Sequence, residues 1–110
     1  MKSFNEKVYD LLKTVPSGSV TTYSQIAHAL GCKAYRAVGN AMNKNPHDTN
    51  VVPCHRVVNS NGKLGGYAWV AEIKVKRLED EGVEIEKVGN RIEEWKIKDF
   101  KNKLFEFKID

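Results

Sequence analysis

The sequence predicts a small, mainly α-helical domain with one β hairpin, assembled as a winged helix-turn-helix. Three observations carry that expectation. Apolar residues recur at helical spacing from Phe4 to Val15, two short helical segments meet across a glycine, and a strand pair follows around an Asn-Ser-Asn-Gly turn. A chain of 110 residues, 41% hydrophobic and 29% charged, suits one core rather than two. The expected organisation is a single domain over 1–110, with a core at about 4–95 and a Lys- and aromatic-rich tail over 96–110.

Each element follows from local chemistry. Phe4, Val8, Leu11, Leu12 and Val15 line one face of a first helix, which stops at Pro16-Ser17-Gly18-Ser19. Thr22, followed three residues later by Gln25, reads as a capping box for a short helix through Leu30, and Gly31 closes it in the left-handed conformation. The next helix, over Lys33 to Lys44, turns Ala37, Val38, Ala41 and Met42 inward and ends before Asn45-Pro46. Val51-Val52-Pro53 and Arg56-Val57-Val58 then read as strand. Asn59-Ser60-Asn61-Gly62 is the hairpin turn, and Lys63-Leu64 is the returning strand. Ala71 to Glu81 forms a further helix stopped by Gly82, and Val83 to Val88 alternates as a terminal strand. From Trp95 onward the aromatic and Lys spacing favours an amphipathic helix packed on the domain.

The bulk properties exclude several function classes. No stretch approaches the roughly 20 apolar residues that span a bilayer, so a soluble intracellular protein is expected, cytoplasmic and at the nucleoid or in the nucleus according to the organism. A net charge of +4 and a pI near 9.1 are compatible with a polyanionic partner and equally with an ordinary Lys-rich surface. The two cysteines, Cys32 and Cys54, are too few for a disulfide framework or a thiolate zinc site. No metal or cofactor is suggested.

Chemistry concentrates in Pro53-Cys54-His55-Arg56, where a thiol, an imidazole and a guanidinium are adjacent at what should be a strand start. A thiolate is the nucleophile, and a nearby His or Arg favours it by lowering the thiol pKa. A Cys-His pair alone equally describes a buried structural cysteine. Cys32, beside a helix-closing glycine, keeps the structural reading, and His28 and His47 form no pattern.

The segment VPCHRVVNSNGKLGGYAW resembles the active-site signature of the O6-alkylguanine-DNA alkyltransferases. The likeness extends through GSVTTYSQIAHALG, YRAVGNAMNKNP and LEDEG, and covers the chain from about Phe4 to Val88 in the family's order. It corresponds to the catalytic, DNA-binding domain without the separate N-terminal domain that many members carry. The resemblance implies Cys54 as the alkyl acceptor, His55 as the base acting through a water, Glu81 as the carboxylate that orients it, and Asn45 as the brace of the nucleophile turn. Tyr23 would hydrogen-bond the purine and help guanine leave as a neutral base. Arg36 would enter the base stack of a double-stranded DNA containing O6-alkylguanine, from a helix lying in the minor groove. Tyr35, Ala37 and Gly39 belong to that DNA-facing helix. Tyr67, Ala68 and Trp69 would wall the base pocket, with the carbonyls of Cys54 and Val57 facing the exocyclic amine. No cofactor is implied, and a monomer is expected.

Two departures stand out. Val70 occupies a position where relatives commonly carry glycine, and the loop His47-Asp48-Thr49-Asn50 is one residue longer than in many of them. With bulky Trp69 beside the pocket, methyl adducts should react faster than benzyl ones. Three rival readings remain beside suicide alkyl transfer: a lesion-binding module that recruits excision repair without transfer, a winged-helix transcription factor, and a multiple-turnover cysteine hydrolase. The lesion-binding relatives usually replace the reactive cysteine, often by tryptophan, which Cys54 argues against. The ordered pocket residues argue against the second, and the absence of any alkyl-releasing step against the third.

Overall fold

A computed structural model describes residues 2–44, 51–64 and 71–107. Helix α1 spans Phe4–Leu12 and begins where the Ser3 hydroxyl accepts a hydrogen bond from the Glu6 amide, satisfying one of the orphan donors of a helix start. Val8 and Leu12 are fully buried. The Tyr9 hydroxyl donates to the carbonyl of Ala41 at 2.8 Å, tying α1 to a later helix.

Strand β1, Thr21–Thr22, leads directly into α2, Tyr23–Ala29. The Thr22 hydroxyl accepts from the Gln25 amide at 3.1 Å, as the capping box predicts. The Gln25 side chain accepts from the Thr21 hydroxyl instead of reaching back to the Thr22 amide. Gly31 takes the left-handed conformation at φ +74°, and α3, Tyr35–Asn43, follows. It starts two residues later than the sequence predicts, after a turn in which the Tyr35 amide donates to Lys33. Val38, Gly39, Ala41 and Met42 face inward. The helix-turn-helix is present.

Two expectations need correction in the next segment. Cys54–Arg56 is a 3-10 turn rather than a strand start. Pro53 offers no amide to a ladder, and the amides of Arg56 and Val57 bond back to Pro53 and Cys54. Strand β2, Val57–Val58, then pairs in parallel with β1, Thr21 opposite Val57 and Thr22 opposite Val58. The Asn59 to Gly62 turn does form, closed by Asn59 and Lys63 at 2.9 Å. Its return leg leaves β2, however, because Lys63 pairs with Lys96 and the Leu64 amide donates to Trp95.

Helix α4, Ala71–Asp80, closes through Gly82 at φ +85° and a bond from the Val83 amide to the Leu78 carbonyl. The terminal strand contracts to β3, Ile85–Glu86, antiparallel to β4, Lys96–Ile97. The amphipathic tail helix is not formed. Asp99 is left-handed, only α5, Phe100–Lys103, is helical, and the following backbone runs extended beside Val20. There the Val20 amide donates to Lys103 and the Phe105 amide to Val20, pairing backbone groups that burial would otherwise leave unsatisfied.

The β1–β2 pair separates two cores. Val57 joins α1, α2 and α3 through Val8, Leu12, Ile26, Val38 and Ala41, while Val58 joins Val20, Leu64, Leu78, Val83 and Ile97, the alternation of side chains along a strand. Among the described residues no helix is long and apolar enough to cross a membrane.

Candidate active site

Cys54 opens the 3-10 turn, half-buried against the first core. The next residue, His55, is 6% exposed, and its Nε2 lies 3.0 Å from Glu81 Oε2 at the end of α4. Arg56 reaches the same carboxylate twice, through Nε to Oε1 at 2.9 Å and through Nη2 to Oε2. Its Nη1 donates to the Val15 carbonyl. The turn presents the imidazole and the guanidinium together to one acid, and that acid is fixed by a bidentate clamp.

The electrostatics assign the protons. Burial pushes the Glu81 carboxyl up, but the hydrogen bonds from Arg56 and His55 outweigh it and hold the group below its ordinary value. Burial depresses the His55 imidazole, assisted by the charges of Arg56 and Arg77, against the opposing pull of Glu81. At neutral pH Glu81 is therefore a carboxylate and His55 is neutral. A neutral imidazole beside a carboxylate carries its proton on the facing nitrogen, here Nε2, which leaves the lone pair on Nδ1. Nδ1 is buried and makes no hydrogen bond among the described residues. A base so arranged accepts a proton at Nδ1 and returns it with its orientation unchanged.

Arg56, which the sequence offered as a charge lowering the thiol pKa, is directed at Glu81 and Val15 instead. A buried lysine that the sequence reading passed over stands behind the turn. Lys74 is 5% exposed, its Nζ donates to the carbonyls of Val57 at 2.7 Å and Leu64 at 2.9 Å, and burial lowers its pKa to about 8. Its only local signal is its spacing four residues before buried Leu78 on one face of α4. The Val57 carbonyl, expected to face the base, thus already accepts one hydrogen bond.

A separate open cleft of about 500 Å³ is lined by Tyr23, Lys33, Ala34, Tyr35, Arg36 and Asn59. Tyr23 stands at the first turn of α2, and Tyr35 and Arg36 at the first turn of α3. Tyr35 is 42% exposed and meets the His28 ring edge-on at 6.3 Å. Ala37 is half-buried, and Gly39 lies on the buried side of α3. Lys33 and Asn59 are cleft residues the sequence reading missed, one in a turn and one at a hairpin corner, where side-chain direction has no periodic signal. Asn45, Tyr67, Ala68 and Trp69 lie outside the described residues, as do the loop over 47–50, Gly65-Gly66 and Val70. Among the described residues no cluster of His, Cys, Asp or Glu is suited to hold a metal.

The family model for the 6-O-methylguanine DNA methyltransferase DNA-binding domain matches residues 3–83. A methylated-DNA–protein-cysteine methyltransferase of Methanosarcina acetivorans is 49% identical over 80 residues, covering 72% of this chain and 51% of that protein. The O6-methylguanine-DNA methyltransferase of Pyrococcus kodakaraensis superposes with TM-score 0.66 at 49% identity, over 76% of this chain and 48% of that one. Atl1 of S. pombe, solved on damaged DNA containing O6-carboxymethylguanine, superposes with TM-score 0.79 at 35% identity, over 96% of this chain and 99% of that one. The chain spans about half the length of the methyltransferase relative or less of other curated relatives, 51% in one and 26% in another. With a family model matched over most of its length, the chain belongs to the 6-O-methylguanine DNA methyltransferase DNA-binding domain family.

Proposed function

We propose that this protein repairs O6-alkylguanine in double-stranded DNA by moving the alkyl group irreversibly onto Cys54. The observation that carries the reading is the His55–Glu81 pair, which leaves a buried Nδ1 lone pair on the residue next to a half-buried cysteine. The Cys54 proton passes to Nδ1 through a water, and the sulfur attacks the carbon attached to the guanine oxygen. The new S–C bond forms as the C–O bond breaks, and the purine takes a proton from the Tyr23 hydroxyl and leaves as neutral guanine. The thioether has no leaving step, so each molecule acts once and requires no co-substrate.

Access requires flipping the nucleotide, at a cost of a few kcal/mol. Arg36 fills the vacated stack, while Tyr35 and Ala37 approach the backbone. Asn45 braces the nucleophile turn, and Tyr67, Ala68 and Trp69 close the base pocket. The protein acts as a monomer within this reading.

A second reading has its own support. The likeness to Atl1 runs over nearly the whole of both chains, which favours a module that grips the lesion without reacting. Cys54 decides between them. Intact-protein mass after incubation with a duplex bearing O6-methylguanine should rise by one methylene group, only with the lesion and not in Cys54→Ala. Selective binding with no mass gain would transfer the assignment to lesion recognition.

A further inference from the structure

We propose that Lys74 is a positioning residue for this transfer: its ammonium fixes the backbone that follows the nucleophile and presents a buried positive charge that holds the Cys54 sulfur as thiolate. The proposal rests on Cys54 being the acceptor.

The geometry begins with two carbonyls. Lys74 Nζ donates to Val57 and to Leu64, so one side chain from α4 grips both ends of the segment that carries β2 and the Asn59 to Gly62 turn. Val57 in turn donates its amide to the Cys54 carbonyl. The nucleophile turn, β2 and α4 are thereby one hydrogen-bonded unit.

The charge is the second observation. A cation this deeply buried is costly unless paired, and an apolar side chain of similar length would fill the same space. Two carbonyls satisfy donors but supply no counter-charge. The Arg56 guanidinium is already matched to Glu81. Among the described residues the titratable group that acts on Lys74 is Cys54, whose ionised sulfur supports the lysine charge against burial. The same sulfur, with burial, pushes the Tyr9 phenol up from the α1 side. Electrostatic support is mutual, so whatever the thiolate gives the ammonium, the ammonium returns to the thiolate. His55 then removes the proton from a thiol already disposed to lose it.

The test compares wild type with Lys74→Met. Iodoacetamide labelling of the Cys54 peptide, followed by mass across pH without DNA, reads the thiolate directly. Removing the ammonium should move the midpoint up by about one unit, so that labelling at pH 7 slows about tenfold. An unchanged midpoint in a folded variant overturns the proposal. If Lys74→Met does not fold, the Lys74 ε-carbon is titrated by NMR in wild type and in Cys54→Ser. The lysine midpoint should fall in the serine variant, and equal midpoints overturn the proposal. These readouts do not require alkylguanine, so failure of wild type to gain a methyl would sink the transfer reading separately.

Discussion

Glu81 accepts from both His55 and Arg56, which makes its replacement informative twice. In Glu81→Gln the imidazole loses the partner that fixes its tautomer, and transfer should slow about 100-fold, the lower range for a misplaced general base. The half-buried guanidinium also loses its counter-ion, at a cost of about 1–3 kcal/mol, measurable by urea unfolding. Normal transfer kinetics in a stable Glu81→Gln protein would remove His55 from the mechanism. The pH dependence follows from the same residues. His55 is depressed below its ordinary value of 6.5, so the unfolded chain binds this proton more readily and stability declines as pH falls below about 6.5. Glu81 is depressed below 4.5, so its contribution is present above that value and disappears as pH falls through its folded pKa. Melting temperatures measured from pH 7.5 to pH 4 should show the first decline weakened in His55→Gln. An undiminished slope in that variant would place the effect elsewhere.

Gly62 and Gly31 separate two reasons for a glycine at the level of the elements. Both have positive φ, but a Cβ at Gly62 would lie 3.1 Å from Phe100 Cγ, whereas at Gly31 nothing lies within 4 Å. Gly31→Ala should cost about 1 kcal/mol from backbone strain alone. Gly62→Ala should cost distinctly more, because the turn packs against α5; equal losses in urea unfolding would mean that Phe100 moves aside freely. The helices were legible in the sequence because their signals are local: apolar spacing in α1, Thr22 and Gly31 around α2, Gly82 after α4. The partner of β2 was not. A two-residue parallel ladder between Thr21 and Val57 leaves no pattern near either, while Asn59 to Gly62 advertises a hairpin whose return leg goes to β4. The tail misled for a related reason. Phe100, Leu104 and Phe107 have helical spacing, but Val20 offered an unpaired backbone edge, and that pairing prevailed. In the site, Cys54 and His55 announced themselves as neighbours, whereas Lys74 read as a surface charge because nothing local reveals that α4 turns it inward.

For the molecule as a whole, the C-terminal segment is part of the structure that holds both cores. Phe107 packs on the first core, and the backbone around Leu104 lies beside Val20, which belongs to the second. Truncation after Lys103 should cost at least about 2 kcal/mol, the burial of one large aromatic side chain, and lower the thermal midpoint by about 10 °C. An unchanged midpoint in scanning calorimetry would show the segment to be dispensable. The parallel pairing of β1 with β2 also has a consequence for timing. Segments far apart in the chain must meet before that ladder exists, and such closures come late because their entropy is lost before contacts compensate for it. His55 further waits for Glu81, which lies downstream of it in the chain. While the protein is being synthesised, Cys54 is consequently an ordinary, unassisted thiol. It gains its reactivity only when the last helix has docked, so a molecule that can act once is not disarmed by stray electrophiles before it is finished.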